Sequence, residues 1–226
     1  MTIARSAGAA LLAALTIPGL LTGCGREVTG TAVTAAGRAP AAGSSPSTTP
    51  GGGGGDDSQC ASVTAPLVDI PQKNPREPQL RVPQPQGWER NTMMDNQIIR
   101  FAIVAQDLIA NQFAPNAVVT LESVRGSADP DTVFEQNRSN LTTMMGAFDL
   151  QTESNTTCGL PSETTTYTAP AMGPAPERPI IMHAVVAQGP SATYLATLTV
   201  QTTDPTNPTY VRDSGEIVDG FQLLLP

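Results

Sequence analysis

Five consecutive glycines at positions 51–55 close a tract, residues 25–59, dominated by Gly, Ala, Ser, Thr and Pro. Such a stretch buries too little apolar surface to offset the cost of ordering its backbone, so no core can form there. Whatever folds must come after it. The chain has 226 residues with 20 Gly and 21 Pro, many of them before Trp88, which leaves material for one globular domain, residues 60–226, plus a non-globular leader. Read as a flexible coil, the tract reaches roughly 30 to 35 Å and works as a tether. Its Ser44-Ser45-Pro46-Ser47-Thr48-Thr49-Pro50 cluster has the composition of an O-glycosylated stalk and, equally, of an unmodified linker.

The leader is specific at its end. Arg5 precedes an apolar stretch over residues 7–21, the order of an export signal. Fifteen residues fall short of the roughly 20 a membrane span needs, and Pro18 with Gly19 would break a helix here. The stretch ends in Leu21-Thr22-Gly23-Cys24, which resembles the bacterial lipobox. That resemblance implies cleavage before Cys24, removal of residues 1–23, and acyl chains on Cys24 as the membrane anchor. Two or more chains make such anchoring stable. The alternative for Cys24, a structural disulfide, would leave the bridge in a Gly-Arg-Glu neighbourhood with nothing to pack around it. The expected location is the outer face of a bacterial cell membrane.

Charge narrows the partners. The net charge is -8, with Lys73 the only lysine among 12 basic residues, so the positive footprint of a nucleic-acid binder is missing. Loss of Arg5 with the leader would leave 11 basic and 20 acidic residues, a body repelled by anionic headgroups. The acyl chains would then do the anchoring.

With Cys24 consumed by lipid, Cys60 and Cys158 remain. An even remainder outside the cytosol reads as one disulfide, closing a loop of about 100 residues that the chain-entropy picture values at up to about 4.7 kcal/mol. A metal site or a catalytic thiol is poorly supported, because no CxxC spacing occurs and His183 is the only histidine.

The rest reads as alternating strands and two helices. Residues 80–82 predict a short strand entering a turn that ends at Trp88, a core anchor and a reporter for any groove the turn borders. Residues 98–105 and 117–124 predict paired antiparallel strands. Asp129, Pro130 and Asp131 predict a capped helix start, with Phe134, Leu141 and Met145 on one apolar face and Gly146 ending it. Strands are expected over 148–153, 164–168, 180–187 and 193–202, the last with Tyr194, Ala196, Leu198 and Val200 toward a core and the other face largely toward water. A final helix starts at Asn207-Pro208 and carries Tyr210, Ile217, Val218 and Phe221 on one stripe. The tail at 223–225 packs on the sheet. The order β-β-β-α-β-β-β-β-α is α+β, an antiparallel sheet flanked by helices.

Several features in order resemble the actinobacterial LpqN/LpqT lipoproteins. They are the lipobox, the tether, Cys60-Ala61-Ser62-Val63-Thr64-Ala65-Pro66-Leu67, the Pro85, Gly87 and Trp88 turn, and Pro115-Asn116-Ala117-Val118-Val119-Thr120. The resemblance implies a Mog/PsbP-like α/β/α sandwich used for binding, and by analogy a role in envelope lipid transport or assembly. It transfers no catalytic or ligand residue.

The chemistry of the side chains agrees with that reading. His183 lies in a strand-like Ile181-Met182-His183-Ala184-Val185 run, where a hydrogen-bonded structural histidine is expected. No Gly-x-Ser-x-Gly elbow occurs, and the glycine run lacks the Lys-Ser/Thr of a phosphate loop. Asp129 and Asp131 are explained by capping. Asn137, Asn140 and Asn155 head glycosylation sequons but read as helix-face and turn residues. Met93-Met94 and Met144-Met145 either fill the core or line an adaptable groove. No catalytic residue, metal or cofactor is expected. A tethered binding module for an envelope lipid or a membrane transport protein predicts a concave apolar groove between the sheet and a helix. A structural lipoprotein without a ligand predicts a filled core, and a hydrolase is a distant third.

Overall fold

The computed structural model describes residues 57–226. The expected signal peptide, Cys24 and most of the tether lie outside the described residues. The described residues make ten strands and two α-helices, plus three short 3-10 turns. Strands β1 (Leu67–Ile70) and β2 (Gln79–Pro83) form a small antiparallel sheet with β10 (Gln222–Leu224) in the order β1-β2-β10. The large sheet holds β3 (Trp88–Arg90), β4 (Ile99–Ala105), β5 (Asn116–Arg125), β6 (Phe148–Thr157), β7 (Leu160–Ala169), β8 (Arg178–Gln188) and β9 (Ala192–Gln201). Its order is β3-β4-β5-β9-β8-β7-β6, antiparallel throughout. Helices α1 (Pro130–Thr143) and α2 (Pro208–Asp219) flank it.

The two faces of the large sheet are covered differently. On one, α2 and the small sheet pack against the strands, and 21 of the described buried residues form a single cluster that includes Val82, Trp88, Ile103, Leu198, Ile217 and Phe221. Alternation in β9 supplies Tyr194, Ala196, Leu198 and Val200 to it, as the sequence predicts. On the other face α1 rests on Phe134, against Ala184 and Val186, and on Leu141, near Ile180 and Met182. The outward side of β9 is therefore covered in part, and Leu195 and Thr197 are not turned to open water.

Both helix starts follow their caps. The Asp129 carboxylate accepts from the Thr132 N–H at 3.0 Å, and Asn207 accepts from Thr209 and Tyr210. Gly146 takes a left-handed φ of 68° just beyond α1. Met145, expected on the apolar face, lies past the last turn and is 50% exposed. Cys60 is bonded to Cys158, at the two-residue turn Cys158-Gly159 between β6 and β7. Both turn residues have positive φ, 52° and 77°, as such hairpins require. A Cβ on Gly159 would sit 2.4 Å from the Gln59 side-chain oxygen, so the chain entering the domain packs directly on this turn.

Candidate binding groove

Helix α1 rests on the sheet mainly over β7 and β8, reaches Leu195 of β9 at its edge, and leaves the end of β5 around Val124 open. Val133, Gln136, Asn137 and Asn140 recur at i, i+3, i+4 and i+7, so they share the side of the helix that overlooks this opening. Across from them lie Val124 and Leu195, which point to the same sheet face because Glu122 pairs with Leu195 and Val124 with Thr193. Between helix and strands runs an open groove of about 370 Å³, mostly apolar in its lining. Its N-terminal wall is fixed by Thr193, whose hydroxyl donates to the Gly126 carbonyl and accepts from the Ala128 N–H. The Gln188 amide adds a bond to the Ala128 carbonyl at 2.7 Å.

Beside the groove one charged contact adds to the Phe134 and Leu141 packing that seats α1. Arg138 of α1 pairs with Glu163 of β7, a carboxylate 2% exposed. The other carboxylate oxygen, Oε1, is buried with no hydrogen-bond partner. Burial pushes the Glu163 carboxyl above its ordinary range, and the Arg138 guanidinium only partly opposes that. The helix is thus latched through a group that is costly to keep ionised.

The opposite face carries a polar cleft of about 650 Å³ between α2, the β6–β7 hairpin and residues 61–64. His183 is in its wall, 4% exposed, with Nε2 2.8 Å from the Thr157 hydroxyl and Nδ1 2.8 Å from that of Thr164. Burial pushes its pKa down to about 4. With both nitrogens engaged by hydroxyls and no carboxylate bonded to the ring, the imidazole is a structural tie, as its strand position predicts. The Glu216 carboxylate accepts from the Thr64 and Ala65 N–H groups at 2.8 Å each, which holds its pKa below the usual range and fixes the entering chain on α2. Among the described residues no group of three His, Cys, Asp or Glu is placed to hold a metal.

Trp88 lies away from both openings. It is 2% exposed in the core under α2, and its indole N–H donates to the buried Asp213 carboxylate at 2.9 Å. It reports on that core and not on the α1 groove. Asn155 lies in β6, not a turn, and its side chain bonds Thr164 and Ser162. The four paired methionines neither fill the core nor line the α1 groove: Met93, Met94, Met144 and Met145 are 94%, 39%, 78% and 50% exposed. The groove residues themselves escaped the sequence reading because three of the four on α1 are amides, which give no apolar periodicity.

An antiparallel α+β sandwich, tied at its entry by a disulfide and open along one helix, is the class that fold and groove define. The chain belongs to the Lpp-LpqN family, described as probable lipoprotein LpqN, whose model matches residues 62–224. A solved structure with the same fold is that of LpqN from Mycobacterium tuberculosis, a protein involved in cell envelope biogenesis. It shows 16% identity, a TM-score of 0.56, and coverage of 70% of this chain and 91% of that one. The Ran-binding protein Mog1p of Saccharomyces cerevisiae aligns at 13% identity and a TM-score of 0.44, over 72% of this chain and 96% of that one. The search of curated proteins finds no match.

Proposed function

We propose that this chain is a cell-envelope lipoprotein, acylated at Cys24 and anchored to the outer face of the cell membrane. Its folded part is a non-catalytic module that takes an envelope lipid, or a segment of a membrane transport protein, in the α1 groove. The observation that carries this reading is the open, largely apolar groove between α1 and the β5–β9 strip, a space between helix and sheet that a filled sandwich would not retain. Membership of a lipoprotein family and the envelope role printed for the structural neighbour support the same reading.

The test is mass spectrometry of lipids extracted from the protein purified out of its own membranes. Acyl lipid is expected with the unaltered chain and is expected to disappear in the Val124→Glu/Val133→Glu double variant, which places two charges in the groove. If neither sample carries lipid, and crosslinking in cells recovers no envelope protein, the module has no such ligand and a structural lipoprotein is the better account. Anchoring is checked separately: Cys24→Ala should leave the protein unprocessed or shed from the detergent phase.

A further inference from the structure

One corner of the molecule runs against the charge of the whole. The chain has a net charge of -8, yet Lys73, Arg90 and Arg100 line one pocket of about 550 Å³ beside the outer strands β3 and β4. Of its two nearby carboxylates, Asp95 pairs with Arg90 at 2.7 Å and Glu77 with Arg100 at 2.8 Å. Lys73, the only lysine, has no carboxylate partner for its ammonium among the described residues. Its ammonium donates to the Asn96 carbonyl and to the Gln97 side chain, which ties the β1–β2 loop to the β3–β4 loop. The neighbouring Arg76 is exposed and adds positive charge to the same loop.

Protruding apolar side chains sit on this corner. Met93 is 94% exposed, Ile98 51% and Met94 39%, all within the β3–β4 loop that contributes Asp95, Asn96 and Gln97 to the pocket. The loop is held stiff: Asn91 caps it, and the Asn96 side chain accepts from the Ile98 and Ile99 N–H groups. Flexible, polarizable methionines on a rigid loop, on the same corner as Lys73 and the exposed Arg76, suit a surface that is anionic outside and apolar beneath.

The register of the sheet places this corner. Ile99 lies level with Thr120, Thr197, Ala184, Glu163 and Ser154 across six strands, so the start of β4 shares an end of the sheet with the end of β6. That is where the Cys60–Cys158 bond fixes the entering chain. Of the other protruding methionines, Met144 and Met145 come just before the opposite end of β6 and Met172 lies between β7 and β8 at that same end, and no Lys or Arg occurs between residues 139 and 177.

We propose that the β3–β4 corner is a second membrane contact. Met93, Met94 and Ile98 enter the headgroup–acyl boundary of an anionic bilayer, and Lys73, the lysine at the mouth of the pocket, takes a phospholipid phosphate. The inference rests on the lipoprotein reading for its membrane, though not on the acyl chains for its binding. Acyl chains on Cys24 would keep the domain close to the bilayer, so the corner need bind only weakly to hold the domain down.

The mature chain from Cys24, produced without acylation, tests it by co-sedimentation with vesicles of phosphatidylglycerol or of phosphatidylcholine. Preferential binding to phosphatidylglycerol is expected, weakened by high salt. Lys73→Glu should reduce it by about fivefold or more and Lys73→Arg should keep it, given the worth of one basic residue at a charged surface. Met93→Glu/Ile98→Glu should reduce it by roughly tenfold or more, with unchanged melting because both side chains are exposed. Free inorganic phosphate should not displace the protein from vesicles. Equal binding to both vesicle types, an equal loss in Met144→Glu/Met145→Glu, or displacement by phosphate would overturn the proposal. Absence of acylation in cells would instead strike the lipoprotein reading and leave this result standing.

Discussion

The two faces of the large sheet are built to different standards. Under α2, one continuous cluster joins both sheets, the helix and the C-terminal strand, and Ile217 and Leu223 are fully buried. Under α1, two small clusters meet the helix at Phe134 and Leu141, and a buried carboxylate with one unpartnered oxygen latches it. Stability is concentrated where the molecule shows its polar cleft, and the apolar groove lies where packing is thin. The α1 groove is walled by a helix that rests on two side chains, whereas the openings on the α2 side, the polar cleft and a smaller apolar hollow beside Ile181 and Val218, border a densely packed core.

The sharpest way to break this contrast is to remove one aromatic from each side. Phe221→Ala is expected to cost about 4 kcal/mol in denaturant unfolding and to unfold the domain as a unit. Phe134→Ala should cost less, about 3 kcal/mol at the low end of the range for such changes. Its mark should be faster hydrogen exchange confined to α1, and equal global losses would refute the asymmetry.

Acid titration separates the faces next. His183, under the α2 side, has a folded pKa of about 4 against an ordinary value of 6.5. Its neutral form is the one the fold keeps, so its contribution is complete above 6.5 and is lost as pH falls toward 4. The loss is on the order of 3 kcal/mol, and His183→Gln should flatten that limb of the stability curve. Glu163, on the α1 side, is shifted upward and has the opposite sign: the fold binds its proton more readily than the unfolded chain, so acidification toward the ordinary carboxylate range stabilises it. Glu163→Gln should therefore change stability by no more than about 1 kcal/mol near neutrality, since it removes a buried charge along with its pair. A loss of several kcal/mol would show that the ion pair, and not apolar contact, seats α1.

Much of this arrangement is legible in the amino-acid order. The alternation in β9, the Asp129-Pro130 and Asn207-Pro208 helix starts, and the parity of Cys60 and Cys158 each rest on local physics: side-chain period, capping and thiol count. The strands that escaped are β1, β3 and β10, three or four residues long, which exist because a neighbour presents a free edge rather than because of their own pattern. The hairpin at Cys158-Gly159 was hidden by Pro161, which sits inside β7. Methionine positions misled for a related reason: burial of Met93 or Met145 is decided by which end of the sheet its loop occupies, and no local window contains that. The α1 groove depends on the angle at which the helix crosses β9, with Thr193 more than 50 residues beyond Asn140, so its polar amides gave no warning.

The disulfide also imposes a timetable. Its two cysteines are 98 residues apart, and β10, the C-terminal strand, pairs with β2 near the start of the domain. When the chain is delivered N-terminus first, Cys60 arrives in its reduced form and waits for more than half of the remaining domain before Cys158 appears. The small sheet stays incomplete until residues 222–224 arrive, so the α2-side core cannot close before then. Maturation of this protein is therefore a late, nearly all-at-once event, and during the interval Cys60 is the thiol exposed to a wrong partner.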